Sequence, residues 1–146
     1  MNSNNESILI SQLLTRDVIS ISENKTIYNA IKLLAKNNIG ALPVLNNKME
    51  LSGIISERDI IREISKNLSI NFKKCSINSI MTSVVITINR NIKSEDIMDI
   101  MSKNKIRHIP IVENKLLIGI VSIGDVVKRL MEKFNLENQY LKSWLY

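Results

Sequence analysis

Two copies of one sequence motif lie in tandem along the chain, and this internal repeat restricts the possible folds more than any other feature. Pro43 and Pro110 stand 67 residues apart, each within a short aliphatic run. In both copies a glycine, two aliphatic residues and Ser-x-x-Asp follow; this element ends at Asp59 and again 66 residues later. Residues 15–21 and 82–88 also match at the spacing of 67. Three anchors in almost one register indicate a duplicated structural unit.

Each copy shows the same order of hydrophobic patterns. A short segment, predicted to be a strand at 18–21 and at 85–88, precedes apolar residues at helical spacing. Two apolar runs around a polar turn that contains Asn follow, and they predict a β-hairpin. The strands of the two predicted hairpins are residues 42–45 with 51–55, and 109–112 with 116–121. A second helix is predicted to begin at Ser56 and at Ser122.

The fold class that this order predicts is α/β of the mixed α+β kind, with two tandem β-α-β-β-α repeats. Each hairpin has an apolar face that one repeat cannot cover alone, so we expect the repeats to pack with pseudo-twofold symmetry. The chain is predicted to divide into a polar N-terminal tail, a first repeat, a connector, a second repeat and a C-terminal helical extension, at residues 1–9, 10–66, 67–76, 77–131 and 132–146.

The C-terminal extension keeps apolar residues at helical spacing. These residues are Phe134, Tyr140, Leu141, Trp144 and Leu145. That is a large apolar surface for a loose tail, so we expect the extension to pack back on its own module. The alternative is that it contacts a second copy of the chain or a partner protein.

Composition excludes several kinds of site and location. The single cysteine, Cys75, and the single histidine, His108, leave no intrachain disulfide and no Cys/His zinc site. The longest apolar run, residues 116–121, is far shorter than the roughly 20 residues of a membrane helix. The polar start of the chain lacks the basic and apolar parts of a secretory signal. We therefore expect a soluble, cytoplasmic protein without a metal site or a membrane contact.

The doubled pattern resembles the CBS-domain pair, also called the Bateman module, over residues 12–131. The residues that carry the resemblance are Pro43 and Pro110, together with the Gly-to-Asp segments 53–59 and 119–125. The resemblance implies that AMP, ADP, ATP or S-adenosylmethionine binds in clefts between the repeats. It also implies that the module regulates a protein target, forms a disk-shaped homodimer, and needs no cofactor besides its regulatory adenine ligand. Nothing else is attached, so we expect a stand-alone member.

The Ser-x-x-Asp element has chemistry of its own. A serine at a helix N-terminus adds a hydroxyl donor to backbone N–H groups that favour phosphate, and an aspartate one turn later can accept both hydroxyls of a ribose. The same pattern before an apolar run is also a capping box, which needs no ligand. The two interpretations are compatible, since the cap orients the turn that a ligand would use.

The resemblance places the adenine against the strand before the proline of one repeat and the ribose on the aspartate of the other. One expected site joins Ser56, Arg58 and Asp59 to Thr82, Ile86, Ile106, Arg107 and His108. The second expected site joins Ser122, Gly124 and Asp125 to Thr15, Ile19, Ile39, Gly40 and Ala41.

The two expected sites differ in charge. Arg58, Arg107 and His108 belong to the first, whereas the matching positions of the second are Gly124, Gly40 and Ala41. Because cationic donors favour phosphate groups, we expect the Asp59 site to take the more highly phosphorylated ligand. The Asp125 site should prefer a nucleoside-like or monophosphate ligand.

Other functions remain open. The chain could be a structural, dimerising subunit whose sites are vestigial. The formal net charge of +6 also allows an acidic protein or a nucleic acid as partner, although the lysines are scattered and the sequence shows no reading helix. An enzyme is the hypothesis with least support, because the sequence shows no nucleophile–base pair, metal cluster or glycine-rich phosphate loop.

Overall fold

A computed structural model of the chain describes residues 8–145, with side chains to residue 143. The expected Trp144 and Leu145 contacts of the extension therefore lie outside the described side chains. The elements are α1 (Ile8–Leu13), β1 (Ile21–Ser22), α2 (Ile27–Asn37), β2 (Ala41–Leu45), β3 (Leu51–Ser56), α3 (Glu57–Lys66), a 3₁₀ turn (Ile77–Ser79), α4 (Ser94–Asn104), β4 (His108–Glu113), β5 (Leu116–Ser122) and α5 (Ile123–Leu145). The predicted mixed α+β class is confirmed.

Each repeat is built around an antiparallel hairpin. In the first repeat β2 pairs with β3, and the two-residue strand β1 adds to β2 in parallel. In the second repeat β4 pairs with β5. The proline of each copy occupies the same place, since Pro43 lies opposite Ile54 and Pro110 lies opposite Ile120. The two hairpins therefore pair their strands in the same register, as the duplicated sequence predicts.

The predicted opening strands, residues 18–21 and 85–88, are wrong in extent. Strand β1 contains only Ile21 and Ser22, and the second copy has a single parallel bridge between Ile88 and Ile111. The residues just before these pairs, 18–19 and 84–86, line cavities between the repeats instead. Their strand-like composition is therefore not accompanied by strand pairing.

Two aliphatic cores hold the fold, one for each repeat, and each receives residues from beyond its own repeat. Leu9, Ile10 and Leu13 of α1 are buried in the core of the second repeat. Ile77, which follows the connector, is buried in the core of the first repeat. The segment that precedes each repeat, α1 or the turn at Ile77, therefore packs in the core of the other repeat. The predicted boundaries stay predictions, but α1 begins at Ile8 and runs across the one proposed between residues 9 and 10.

Local capping explains where α2 begins and where both α2 and α4 end. Thr26 caps α2 through a capping box with Asn29, whose backbone N–H donates to the Thr26 hydroxyl. Helices α2 and α4 end on left-handed residues at equivalent positions, Asn38 and Lys105, each with φ of 53°. Asn tolerates this conformation better than lysine. These caps turn the chain into β2 and β4 at the point where the candidate site begins.

The expectation that the C-terminal extension packs back on its module is wrong. Helix α5 runs for 23 residues without a break, and the sequence contains no glycine or proline after Gly124 to turn it. Phe134 is 64% exposed and Leu141 is 61% exposed. Contact with a second copy or a partner remains a prediction. No helix among residues 8–145 combines the length and the apolar character needed to cross a bilayer.

Candidate functional site

Two cavities open between the repeats, where β3 and β5 end and α3 and α5 begin. The first, called here the Asp59 cleft, is lined by Gly40, Ala41, Ile54, Ser56, Glu57, Arg58, Asp59, Arg62, Thr82, Val84, Val85, Ile86, Lys105, Ile106, Arg107 and His108. The second, called the Asp125 cleft, is lined by Leu13, Arg16, Asp17, Val18, Ile19, Asn38, Ile39, Gly40, Ala41, His108, Ile120, Ser122 and Asp125. Both clefts draw residues from both repeats.

The Asp59 cleft contains all eight residues that the sequence assigned to it. Three come from the end of β3 and the start of α3, and five come from the second repeat. The cavity volume is about 250 Å³. Arg62 and Lys105 also line it, and sequence reasoning missed both. Arg62 lies one helical turn after Arg58, and Lys105 directly precedes Ile106, so spacing alone could have suggested them.

The Asp125 cleft contains six of its eight expected residues, and two are placed elsewhere. Thr15 is exposed, and its hydroxyl donates to the Gln12 carbonyl at 2.7 Å, which ties it to the end of α1. Gly124 is exposed near the start of α5. Neither residue lines the cleft, and the assignment of these two residues to the site stays a prediction. Arg16, the neighbour of Thr15, lines the cleft instead.

The Ser-x-x-Asp elements form capping boxes with almost identical geometry. The N–H and hydroxyl of Ser56 donate to Asp59 Oδ2 at 2.9 and 3.0 Å, and the Asp59 N–H donates back to Ser56 Oγ at 3.2 Å. Ser122 and Asp125 repeat the pattern at 2.9, 2.9 and 3.2 Å. Each hydroxyl proton is thus directed to the carboxylate. The expectation that these hydroxyls donate to a phosphate is not supported by this arrangement.

The other carboxylate oxygen of each aspartate lies outside the capping box and forms an ion pair with an arginine. Asp59 Oδ1 lies 3.6 Å from Arg62 Nη1, and Asp125 Oδ1 lies 3.3 Å from Arg16 Nη2. The Asp59 side chain is 10% exposed and that of Asp125 is 23% exposed. A ligand hydroxyl approaching either carboxylate must therefore reach Oδ1 beside an arginine.

The electrostatic contrast between the clefts is larger than the sequence indicated. The Asp59 cleft has four permanent cations, Arg58, Arg62, Lys105 and Arg107, against Glu57 and Asp59. The Asp125 cleft has one, Arg16, against Asp17 and Asp125. An anionic ligand is therefore attracted to the first cleft far more than to the second.

His108 forms part of the wall between the clefts. Its side chain is partly buried, and burial lowers its pKa, while the charges of Glu57 and Asp125 raise the pKa and Arg107 lowers it. A Cβ atom on Gly40 would lie 3.1 Å from His108 Cε1 and 3.2 Å from Glu57 Oε1. Glycine at position 40 allows this close approach. Because Gly40, Ala41 and His108 line both cavities, a ligand in one cleft contacts residues that shape the other.

The chemistry of this arrangement is that of binding. It presents a partly buried carboxylate, several cationic donors, and apolar side chains from Ile54, Ile86 and Ile106. Within residues 8–145, no group of three or more His, Cys, Asp and Glu side chains is placed to hold a metal ion.

Comparison with protein families accounts for the duplication. The CBS-domain model matches the chain twice, over residues 10–66 and 77–132. The chain belongs to the CBS-domain family. The resemblance inferred from the prolines and the Ser-x-x-Asp elements is therefore confirmed.

Other CBS-domain proteins are similar over most of this chain. The CBS domain-containing protein CBSX3, mitochondrial, of Arabidopsis thaliana is 37% identical over 124 residues, which are 82% of this chain and 60% of that protein. The CBS domain-containing protein YhcV of Bacillus subtilis is 30% identical over 123 residues, which are 84% of this chain and 85% of that protein. This chain thus spans less than two thirds of the Arabidopsis protein and most of the Bacillus protein.

A solved structure shows the same fold with ligands. The CBS domain pair of protein MJ0100, in complex with 5'-methylthioadenosine and S-adenosyl-L-methionine, matches with a TM-score of 0.76 at 30% identity. The match covers 85% of this chain and 96% of that one. CBS-domain pairs of this shape therefore include a protein that binds adenosyl compounds.

Proposed function

We propose that this protein is a regulatory module that senses an adenine nucleotide in the Asp59 cleft and has no catalytic activity of its own. The observation that carries the proposal is that one cleft contains all eight residues assigned to this site from the sequence, with contributions from both repeats. The adenosyl ligands of the MJ0100 domain pair support the ligand class.

The ribose and the phosphates would be held at the start of α3. Asp59 Oδ1 accepts the ribose hydroxyls, since Oδ2 is engaged in the capping box. The Glu57 N–H is already used, because it donates to the Gly40 carbonyl at 3.0 Å. The Arg58 N–H therefore remains as the backbone donor of this turn. With the Arg58 and Arg62 guanidinium groups it forms a phosphate site at a helix N-terminus.

The adenine would lie on the second-repeat side of the same cleft. Ile86 and Ile106 supply apolar contact area, and the Val85 side chain adds to it. Apolar contact with a few placed polar groups is the usual composition of a small-molecule site. In this arrangement the base contacts one repeat and the ribose and phosphates contact the other.

Regulation follows from a ligand that contacts both repeats. A ligand can shift a conformational equilibrium only by its difference in affinity for the two states. A nucleotide that joins α3 to the strand β4 region favours the state in which these elements are close. A protein target that contacts both repeats would then detect occupancy of the cleft.

We propose different ligands for the two clefts. The four cations of the Asp59 cleft favour ADP or ATP, and the carboxylates of Asp17 and Asp125 disfavour a polyphosphate in the Asp125 cleft. A nucleoside-like, monophosphate or cationic adenosyl ligand suits the Asp125 cleft better. S-adenosylmethionine, one of the two compounds in complex with the MJ0100 domain pair, is therefore a candidate there.

Isothermal titration calorimetry tests the proposal. AMP, ADP, ATP and S-adenosylmethionine are titrated into the wild type and into Asp59→Ala and Asp125→Ala variants. We expect ATP binding to be lost in Asp59→Ala and kept in Asp125→Ala. If a well-folded wild type binds none of the four ligands, the sensor function is wrong and a structural subunit with vestigial sites takes its place.

We also propose that the protein is a cytoplasmic homodimer. The apolar side chains of Val127, Met131 and Phe134 on α5 are 42%, 57% and 64% exposed, which supports contact with a second copy. Sedimentation equilibrium measures the mass in solution. A monomeric mass at high concentration would exclude the homodimer.

A further inference from the structure

A basic surface on the first repeat shares no lining residue with either cleft. One shallow cavity of this surface is lined by Lys25, Lys32, Lys36, Asn29, Ile21 and Leu33. Lys32 and Lys36 are one turn apart on α2, so their side chains lie on one face of the helix. The cavity therefore has a cationic rim and an apolar floor formed by Ile21 and Leu33.

The connector extends this basic surface. The Ile27 N–H donates to the Cys75 carbonyl at 2.9 Å, and the Tyr28 N–H donates to the Phe72 carbonyl at 3.0 Å. These bonds hold the connector against the first turn of α2. As a result, the Lys73 Nζ lies 5.1 Å from the centroid of the Tyr28 ring, and the Lys32 Nζ lies 5.4 Å from it. The ring thus gathers two ammonium groups through cation–π contacts.

The lysines of this surface are not neutralised. The sequence has no Asp or Glu between Glu23 and Glu50, and none between Glu63 and Glu95. Among the ion pairs of residues 8–145, none involves Lys25, Lys32, Lys36 or Lys73. A set of unpaired cations held close together creates a local positive potential that attracts an anionic partner.

The positive charge of α2 is not a general feature of the repeat, because the matching helix α4 of the second repeat has a different charge. At the spacing of 67, the residues of α4 that match Asn29 and Lys32 are Asp96 and Asp99. The two helices therefore occupy equivalent places in the fold but differ in charge. Ligand binding in the two clefts does not explain the difference in charge between α2 and α4, because none of these residues lines a cleft.

We propose that the basic surface docks an acidic segment of a partner protein, with an apolar side chain of that segment on the Ile21–Leu33 floor. Carboxylates on either side of the apolar residue would meet the lysines of the rim. The floor favours a peptide over a nucleic acid, since a phosphodiester backbone has no apolar group to fill it. The Tyr28 ring is engaged by two ammonium groups, so it does not offer the open stacking face that single strands require.

Fluorescence anisotropy tests the proposal on the full chain. The probe is a short fluorescein-labelled peptide of repeated Glu-Glu-Leu-Glu units. Lys36→Glu is the test variant and Lys103→Glu is its matched control, because each lysine lies in the last turn of the first helix of its repeat. Circular dichroism is the check that both variants are folded, and each substitution places a negative charge at the C-terminus of its helix, so both should carry a similar cost.

We expect Lys36→Glu to weaken peptide binding by about tenfold and Lys103→Glu to change it by less than about twofold. Serine in place of each leucine of the peptide should also weaken binding by about tenfold, since the apolar contact is lost. Equal losses in the two variants, or no effect of the serine peptide, would overturn the proposal. Oligothymidine that binds tighter than the peptide would show a nucleic-acid surface instead. A loss in Arg58→Ala as large as in Lys36→Glu would place the peptide in the Asp59 cleft.

Discussion

Replacing Gly40 by alanine tests the packing of the wall between the two clefts. The added Cβ would lie 3.1 Å from His108 Cε1, 3.4 Å from His108 Nε2 and 3.2 Å from Glu57 Oε1. Such crowding of a partly buried ring costs about 1–3 kcal/mol. Gly40 does not have a positive φ, so alanine is compatible with its backbone and restricts the unfolded chain, which stabilises the fold by about 0.4–1 kcal/mol. We therefore expect a net destabilisation of up to about 2.5 kcal/mol.

The sign of this effect should reverse when the histidine is absent. In a His108→Ala background the Cβ meets only the flexible end of Glu57, so Gly40→Ala should stabilise by about 0.4–1 kcal/mol. Urea denaturation of the wild type, both single variants and the double variant gives the coupling energy between the two positions. If Gly40→Ala stabilises the wild type and the His108→Ala variant equally, the imidazole gives way freely. The two clefts then do not share a rigid wall.

Three further predictions concern the charge of the Asp59 cleft, the pH dependence of stability, and the packing of helix α1. Arg58→Ala should weaken ATP binding by about 5- to 30-fold, which corresponds to about 1–2 kcal/mol for a partly screened charge-assisted bond. Arg16→Ala should change ATP binding by less than about twofold. If calorimetry shows losses of equal size in the two variants, the assignment of polyphosphate to the Asp59 cleft is contradicted. Because burial lowers the pKa of His108 below its ordinary 6.5, the unfolded state binds the proton first as the pH falls. Wild type should therefore lose stability more steeply than His108→Gln from about pH 7 down through the folded-state pKa, and parallel urea midpoints would contradict this. Ile10→Ala should cost about 2–5 kcal/mol, because Ile10 is 0% exposed in the core of the second repeat; an unchanged melting temperature would show that α1 does not cover that core.

The pairing of the two repeats at the Asp59 cleft was implied by the resemblance to the CBS-domain pair, and the duplication supplied the register needed to carry that resemblance over residue by residue. Once Pro43 matches Pro110, the residues before each proline and after each Ser-x-x-Asp element occupy equivalent places. A twofold arrangement then brings the end of β3 to the start of β4. Local signals sufficed for the capping box at Ser56 and for the apolar hairpin, which both follow from short sequence patterns, whereas the choice of partner residues in the other repeat came from the resemblance.

Other features depend on tertiary packing and could not be read from local patterns. Helix α1 is short, and nothing in its composition shows that it packs on the second repeat and not on the first. Arg16 reaches Asp125 because α1 crosses the cleft, which the match of Thr15 with Thr82 did not reveal. The helical character of α5 was predicted, but its apolar spacing fits an extension that packs back as well as one that stays exposed, so the sequence could not show which of the two occurs.

The prediction of the opening strands was wrong for a related reason. Residues 84–86 have the apolar, β-branched composition of a strand, yet Val84 is 90% exposed and Val85 and Ile86 line the Asp59 cleft. Composition of this kind suits a strand and the wall of a ligand site equally well. Only the pairing partner distinguishes the two, and that partner lies far away in the sequence.

The most direct test of the central claim is an NMR titration of uniformly ¹⁵N-labelled protein with ATP. A ligand that joins the repeats in the Asp59 cleft should shift amide resonances of Arg58 and Asp59 in the first repeat. It should at the same ATP concentrations shift those of Thr82, Ile106 and His108 in the second repeat. Shifts confined to one repeat, or centred on the lysines of α2, would contradict a nucleotide sensor whose ligand bridges the two repeats.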